Sequence, residues 1–250
     1  MTLPQSFFAR PIAHRAFHDI DRACPENSPA AFAAAIAGGY GIELDVQLSS
    51  DGRAMVFHDY ALDRLTDEAG PIAQRSAAEL GQIKLKGGVD TIPTLSQILQ
   101  QVDGAVPLLI ELKDQDGALG QGIGPLEQAT ARALAGYDGD VAVMSFNPHT
   151  VALMAQIAPH IARGLTTCHF PAEDWPTIPL KTRERLRSIP DYDGTGSCFI
   201  SHQASDLDNP RVKALKEQGA AVFCWTIRSR KDEIRARRIA DNVTFEGYAA

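Results

Sequence analysis

Long apolar runs are missing from this sequence. No stretch approaches the roughly 20 apolar residues that a membrane-spanning helix needs. The amino end, residues 1–11, contains Phe7 and Phe8 but lacks a long apolar core and a small-residue cleavage site, so it does not resemble a signal peptide. We therefore expect a cytoplasmic protein that does not bind a membrane.

Basic charge and cysteine motifs are also scarce. The sequence has 24 Lys and Arg against 31 Asp and Glu, a net charge of −7, which argues against the basic surface of a nucleic-acid-binding protein. The four cysteines are scattered without a C-x-x-C pair, so we predict neither a zinc nor a redox site. A glycine-rich nucleotide-binding loop is absent as well. The expected partner is a small molecule, and the sequence does not indicate an oligomeric state.

Apolar strands alternate with helical segments along most of the chain. Repeated strand–helix units imply an α/β fold with parallel strands, and eight units in this length fit a (β/α)8, or TIM, barrel better than an open sheet. We predict one domain over residues 1–250, with an inserted lobe at about 60–91 after the second barrel strand. The predicted strands are 11–15, 41–46, 107–113, 140–145, 161–166, 198–201, 221–226 and 242–245, with a return strand at 54–57. The predicted helices are 29–37, 76–80, 93–102, 125–134, 148–157, 181–187, 210–218 and 231–240.

Three acidic residues on two predicted strands suggest a metal site. Glu43 and Asp45 are two positions apart on one strand, so their side chains point the same way. Such a pair resists burial unless a cation lies between its members, and a hard divalent ion held by oxygen ligands is the simplest candidate. Glu111 repeats the pattern and would complete a three-carboxylate site. The alternative is that Glu43 and Asp45 face solvent at the edge of strand 41–46 and that Glu111 forms a plain ion pair with Lys113.

Histidine and arginine lie at the carboxyl ends of predicted strands, the end at which barrel active sites are found. His14 and His58 each close a strand beside an ionic partner, which suits proton transfer near neutral pH. Arg15 is placed either to hold a phosphate through two parallel hydrogen bonds or to pair with Asp19 at the surface. The remaining histidines are interpreted as surface or core residues: His18, His149, His160, His169 and His202.

These groups together describe phosphoryl chemistry. A divalent ion, Arg15 and Lys113 would neutralise a phosphoryl group, while the two histidines move protons to and from its oxygens. Trp225, at the end of a late strand, is either a core residue or an apolar wall for the alcohol part of a substrate.

An ordered series of motifs in the first half of the chain resembles the glycerophosphodiester phosphodiesterase family, in its cytoplasmic bacterial form. The motifs are His14-Arg15-Ala16, Pro25-Glu26-Asn27-Ser28, Glu43-Leu44-Asp45-Val46, Asp51-Gly52, His58-Asp59, Leu62-Asp63-Arg64-Leu65-Thr66, Ile92-Pro93-Thr94-Leu95 and Glu111-Leu112-Lys113. The second half agrees more loosely, through Ser145-Phe146-Asn147, Gly164-Leu165 and Trp225-Thr226-Ile227. The chain departs from the family in having Ala16 for a glycine, Arg228 for an asparagine, and Phe245-Glu246-Gly247 in place of a Thr-Asp-x-Pro ending.

The resemblance implies a barrel with a small insertion, and metal-dependent hydrolysis of glycerophosphodiesters to glycerol 3-phosphate and an alcohol. Carried over position by position, it implies one Mg²⁺ or Ca²⁺ bound by Glu43, Asp45 and Glu111. His14 and His58 would form the acid/base pair. Arg15 and Lys113 would bind the phosphate, and Trp225 would line the pocket.

Two other functions are considered. A barrel that cleaves phospholipid head groups, in the manner of phosphoinositide phospholipases or sphingomyelinase D, would work on membranes or outside cells. The acidic charge and the lack of a signal or a basic membrane patch argue against it. A non-catalytic barrel that binds a phosphorylated ligand would be favoured if the metal ligands or histidines were missing, but all are present.

Overall fold

The computed structural model describes residues 2–250 and contains a closed barrel of eight parallel strands. The predicted barrel is therefore confirmed. The strands are β1 (Ile12–Ala13), β2 (Gly41–Leu48), β3 (Ala54–Val56), β4 (Leu108–Leu112), β5 (Val141–Ser145), β6 (Ala162–Thr167), β7 (Phe199–Gln203), β8 (Ala221–Ile227) and β9 (Asn242–Phe245).

Strand β1 closes the barrel because it pairs in parallel with both β2 and β9. Strand β3 is the return strand of a hairpin and lies antiparallel to β2, with Val46 opposite Val56. It extends the sheet outside the barrel. The first strand is shorter than the predicted 11–15, because Arg15 and Ala16 adopt left-handed backbone conformations with φ of 53° and 64°.

Most helices follow a strand and cover the outside of the barrel, whereas the first precedes the barrel strands and the third lies within residues 60–91. They are α1 (Ser6–Ala9), α2 (Pro29–Gly38), α3 (Ala77–Leu80), α4 (Leu95–Val102), α5 (Pro125–Leu134), α6 (Pro148–Ile157), α7 (Leu180–Arg187), α8 (Pro210–Glu217) and α9 (Arg230–Ala236). Helix α2 lies close to the predicted 29–37, because the Ser28 side chain caps its start by accepting from Ala31 N and Gly39 ends it with φ of 67°. Helix α9 ends before the predicted residue 240, because Arg238 and Ile239 bond three residues back.

Alternate residues along the strands form two separate cores. On β2, Ile42, Leu44 and Val46 belong to the larger core, which packs the outer face of the barrel against the helices. The barrel interior is apolar at the amino ends of the strands, where Phe199 and Phe223 pack with Phe7 of α1. Towards the carboxyl ends the interior residues become polar. The barrel therefore has an apolar base and a polar mouth.

Residues 60–91 lie after β3 and contain a 3₁₀ turn (Ile72–Gln74) and α3. Their buried apolar side chains form a cluster of their own, with Leu62, Leu80 and Leu85 packing against Met55 and Phe57. We refer to this segment as the lobe; the division of the chain into one domain with an inserted lobe at about 60–91 stays a prediction. Among the described residues, no helix has both the length and the apolar character needed to cross a membrane.

Candidate active site

Three buried carboxylates converge at the mouth of the barrel. Glu43 and Asp45 project from β2 and Glu111 from β4, and one oxygen from each lies within 4.8 Å of the others. The sheet register brings them together, because Asp45 stands directly opposite Glu111. Burial raises the pKa of Glu43 well above its usual value, and the charges of Asp45 and Glu111 raise it further.

Two cationic side chains border these carboxylates. Lys113 Nζ lies 2.8 Å from Glu111 Oε1 and 3.5 Å from Asp45 Oδ1. Burial alone would lower the pKa of Lys113, but these two carboxylates raise it. The Lys113 side chain therefore stays charged. Lys113 therefore does not form an isolated pair with Glu111, because it also contacts Asp45.

Arg15 is held at the mouth by its backbone and its side chain. Its N–H donates to Glu43 Oε2 at 2.8 Å, and its Nη1 donates to Glu26 Oε1 at 2.8 Å. Nε is buried without a hydrogen-bond partner, 3.7 Å from Asp45 Oδ2. The alternative pairing with Asp19 is wrong, since Asp19 pairs with Arg22 instead.

Each of the two predicted catalytic histidines contacts a carboxylate through its Nδ1 atom. His14 Nδ1 lies 2.5 Å from Glu246 Oε2, and His58 Nδ1 lies 2.6 Å from Asp59 Oδ1. The other ring nitrogen of His14, Nε2, is 4.0 Å from Glu43 Oε2 and so faces the acidic cluster. Burial lowers the pKa of His14, an effect that the hydrogen bond with Glu246 partly offsets.

A cavity of about 170 Å³ joins these groups. All eight residues predicted from the sequence line it: His14, Arg15, Glu43, Asp45, His58, Glu111, Lys113 and Trp225. Trp225 packs edge-on against Phe146 at a ring distance of 5.5 Å and donates from Nε1 to the Ser201 carbonyl. The buried hydroxyls of Thr166, Ser201 and Thr244 line the same cavity without protein partners. The roles assigned to the eight residues stay predictions.

A second and larger groove, of about 1150 Å³, lies beside this cavity. It is lined by Phe17, Ile20 and Tyr248, and it reaches Glu26 and Arg64. None of the three clustered carboxylates lines it. The convergent charged groups are found in the smaller cavity, which is therefore the candidate active site.

Four residues around the site were given no role from the sequence. Arg64 donates from Nε and Nη2 to Asp59 at 2.7 and 2.8 Å and also pairs with Glu26. Arg228 pairs with Glu246. Glu26 and Arg64 lie within two of the motifs described above, Pro25-Glu26-Asn27-Ser28 and Leu62-Asp63-Arg64-Leu65-Thr66, and that position could have indicated a role at the site. Glu246 follows β9 directly, as His14 follows β1, and both Glu246 and Arg228 lie in segments that the sequence analysis had singled out.

The chain is similar to known phosphodiesterases. The sequence model of the Glycerophosphoryl diester phosphodiesterase family matches residues 14–243. A glycerophosphodiester phosphodiesterase of Caldanaerobacter subterraneus subsp. tengcongensis is 29% identical over 233 residues, covering 88% of this chain and 86% of that protein. One of Bacillus altitudinis is 31% identical over 182 residues, covering 68% and 72%.

A solved structure is similar over nearly the whole chain. It is an Oleispira antarctica phosphodiesterase in complex with the product sn-glycerol-3-phosphate, with 26% identity and a TM-score of 0.78, covering 98% of this chain and 95% of that one. The fold and the site define a TIM-barrel phosphodiesterase. The chain belongs to the glycerophosphoryl diester phosphodiesterase family.

Proposed function

We propose that this enzyme hydrolyses glycerophosphodiesters to glycerol 3-phosphate and an alcohol in a metal-dependent reaction with two catalytic histidines. The observation that carries the proposal is the meeting of three carboxylates, within 4.8 Å of one another, in a cavity that is also lined by both histidines. Family membership and the product complex of the Oleispira antarctica relative support the choice of substrate.

Glu43, Asp45 and Glu111 would hold one divalent ion, Mg²⁺ or Ca²⁺. The donor set fits because hard cations prefer oxygen ligands, and these three residues offer only oxygens. The raised pKa of Glu43 also fits, since burial and two like charges disfavour its anion until a cation is added. When bound, such an ion would offset phosphoryl charge in the transition state.

Arg15 and Lys113 would bind the phosphate of the substrate. The buried Nε of Arg15 has no protein partner, and a phosphate oxygen would satisfy it. Lys113 remains charged beside Glu111 and adds a compact positive charge. Trp225, with Phe146 packed on it, would form the apolar wall against which the organic part of the substrate rests.

His14 and His58 would move the protons. In each case a carboxylate lies at Nδ1, which leaves Nε2 available for the substrate. One histidine would deprotonate the nucleophile, which is either water or the neighbouring glycerol hydroxyl of the substrate. The other would protonate the departing alcohol oxygen.

The test is an assay of purified protein with glycerophosphocholine, glycerophosphoethanolamine and glycerophosphoglycerol, with Mg²⁺ or Ca²⁺ added or removed by a chelator. We expect glycerol 3-phosphate to form only with metal. Hydrolysis of intact phospholipid vesicles in preference to these soluble diesters would favour a head-group phosphodiesterase. Calorimetric binding without product would favour a non-catalytic barrel, and either result would overturn the proposal.

A further inference from the structure

Two residues that directly follow neighbouring barrel strands contact each other. Arg228 follows β8 and Glu246 follows β9, and these neighbouring strands bring Ile227 opposite Phe245. Arg228 Nε donates to Glu246 Oε1 at 2.8 Å, and Arg228 Nη2 lies 2.7 Å from the same oxygen as an ion pair. Both donors therefore reach the same oxygen, and the second oxygen of Glu246 is left for another partner.

The second oxygen of Glu246 contacts His14. The closure of the barrel creates this contact, since Ala13 of β1 pairs with Phe245 of β9 and His14 N donates to the Phe245 carbonyl at 2.8 Å. The next residue on each strand is then His14 and Glu246, and their side chains meet at 2.5 Å. His18 Nε2 is 3.7 Å from the same oxygen, which is beyond hydrogen-bond distance.

We propose that Glu246 is a positioning residue for His14 and that Arg228 fixes the Glu246 carboxylate for this purpose. A carboxylate can only accept a hydrogen bond, so it requires the proton of His14 to lie on Nδ1. Nε2 is then the ring nitrogen that faces Glu43 and the phosphoryl site. The proposal rests on the proposed function, because it concerns a histidine assigned to that reaction.

A direct role of Arg228 in substrate binding is the competing explanation. The Arg228 side chain is 66% exposed at the rim of the cavity, where it would be able to meet a substrate. However, its Nε and Nη2 both point to Glu246. An exposed ion pair contributes little to stability, so the two explanations differ in kinetics rather than in folding.

Substitution of both residues separates these explanations. We expect Glu246→Gln to lower kcat about 10–100-fold, by analogy with the loss of a carboxylate that orients a metal-binding histidine, with KM nearly unchanged. Glu246→Asp should recover part of the loss because it keeps the charge. Arg228→Gln should lower kcat less, and the double variant should be no slower than Glu246→Gln. Glu68→Gln, which alters an exposed pair with Arg75, is the matched control and should match the parent.

Other kinetic outcomes would overturn the proposal. If Glu246→Gln keeps the parent kcat, His14 does not depend on it. If Arg228→Gln mainly raises KM and its effect adds to that of Glu246→Gln, Arg228 binds substrate directly.

A spectroscopic measurement makes the test independent of activity. The ¹⁵N resonances of the His14 ring, assigned by their loss in His14→Gln, should indicate a proton on Nδ1 in the parent and a mixture of tautomers in Glu246→Gln. Equal tautomer populations in both proteins would contradict the proposal. If the parent hydrolyses no glycerophosphodiester, the proposed function fails, and the tautomer measurement still decides the role of Glu246.

Discussion

Arg64 donates hydrogen bonds to both carboxylate oxygens of Glu26, each at 2.9 Å. Arg64 belongs to the inserted lobe, whereas Glu26 precedes α2 on the barrel and binds Arg15 through Oε1. Arg64 also binds Asp59, the partner of His58. One lobe residue is thus connected to a predicted phosphate-binding residue and to a predicted catalytic histidine.

Replacing Arg64 should therefore impair catalysis although Arg64 does not line the cavity. We expect Arg64→Gln to lower kcat/KM about 10-fold or more, since it frees the partners of both Arg15 and His58. Steady-state kinetics with glycerophosphocholine would measure the effect. Arg75→Gln is the control, because Arg75 forms an exposed pair in the same lobe. Parent-like kinetics for Arg64→Gln would mean that the network does not orient the site.

The same network predicts how stability depends on pH. Burial alone would raise the pKa values of Glu26 and Asp59. The hydrogen bond from Arg64 instead lowers the pKa of Glu26, and hydrogen bonds with His58 and Arg64 lower the pKa of Asp59. A lowered folded-state pKa gives stability that is present above the unfolded pKa, about 4, and is lost as pH falls through the folded value. We expect the parent to exceed Arg64→Gln in unfolding free energy at pH 7, with a smaller gap at pH 3.

Urea unfolding at the two pH values would measure this gap. Lys213→Gln, which alters an exposed pair on α8, should stay close to the parent at both. A gap that is equal at pH 7 and pH 3 would show that the charges of Glu26 and Asp59 do not contribute to stability through Arg64.

The two histidines should each be needed for turnover. We expect His14→Ala and His58→Ala to lower kcat about 10²–10⁴-fold, the usual contribution of a positioned acid or base. Circular dichroism should show an unchanged fold. His160→Ala, at an exposed position outside the cavity, is the control. If either variant turns over glycerophosphodiesters at the parent rate, the assignment of that histidine is wrong.

Much of the site followed from the sequence because it depends on local patterns. Glu43 and Asp45 alternate with apolar residues on one strand, and the carboxyl end of each strand marks the mouth of the barrel. Glu246 was missed because its contact with His14, 232 positions away, depends on the register between the first and last strands. The early end of β1 was missed because neither Arg15 nor Ala16 has a side chain that favours positive φ.

The three clustered carboxylates should couple metal binding to stability in a way that distinguishes ligands from structural residues. Burial and the charges of Asp45 and Glu111 disfavour the Glu43 anion, so Glu43→Gln should be as stable as the parent, or more stable, in a chelator. With metal at 100 times its Kd, the parent should gain about 2.7 kcal/mol in unfolding free energy, whereas Glu43→Gln should gain much less at the same concentration. Thermal unfolding with Mg²⁺, Ca²⁺ or a chelator would measure this, with Glu217→Gln on the exposed face of α8 as the control. A variant that is destabilised in the chelator and gains as much from metal as the parent would assign Glu43 a structural role instead.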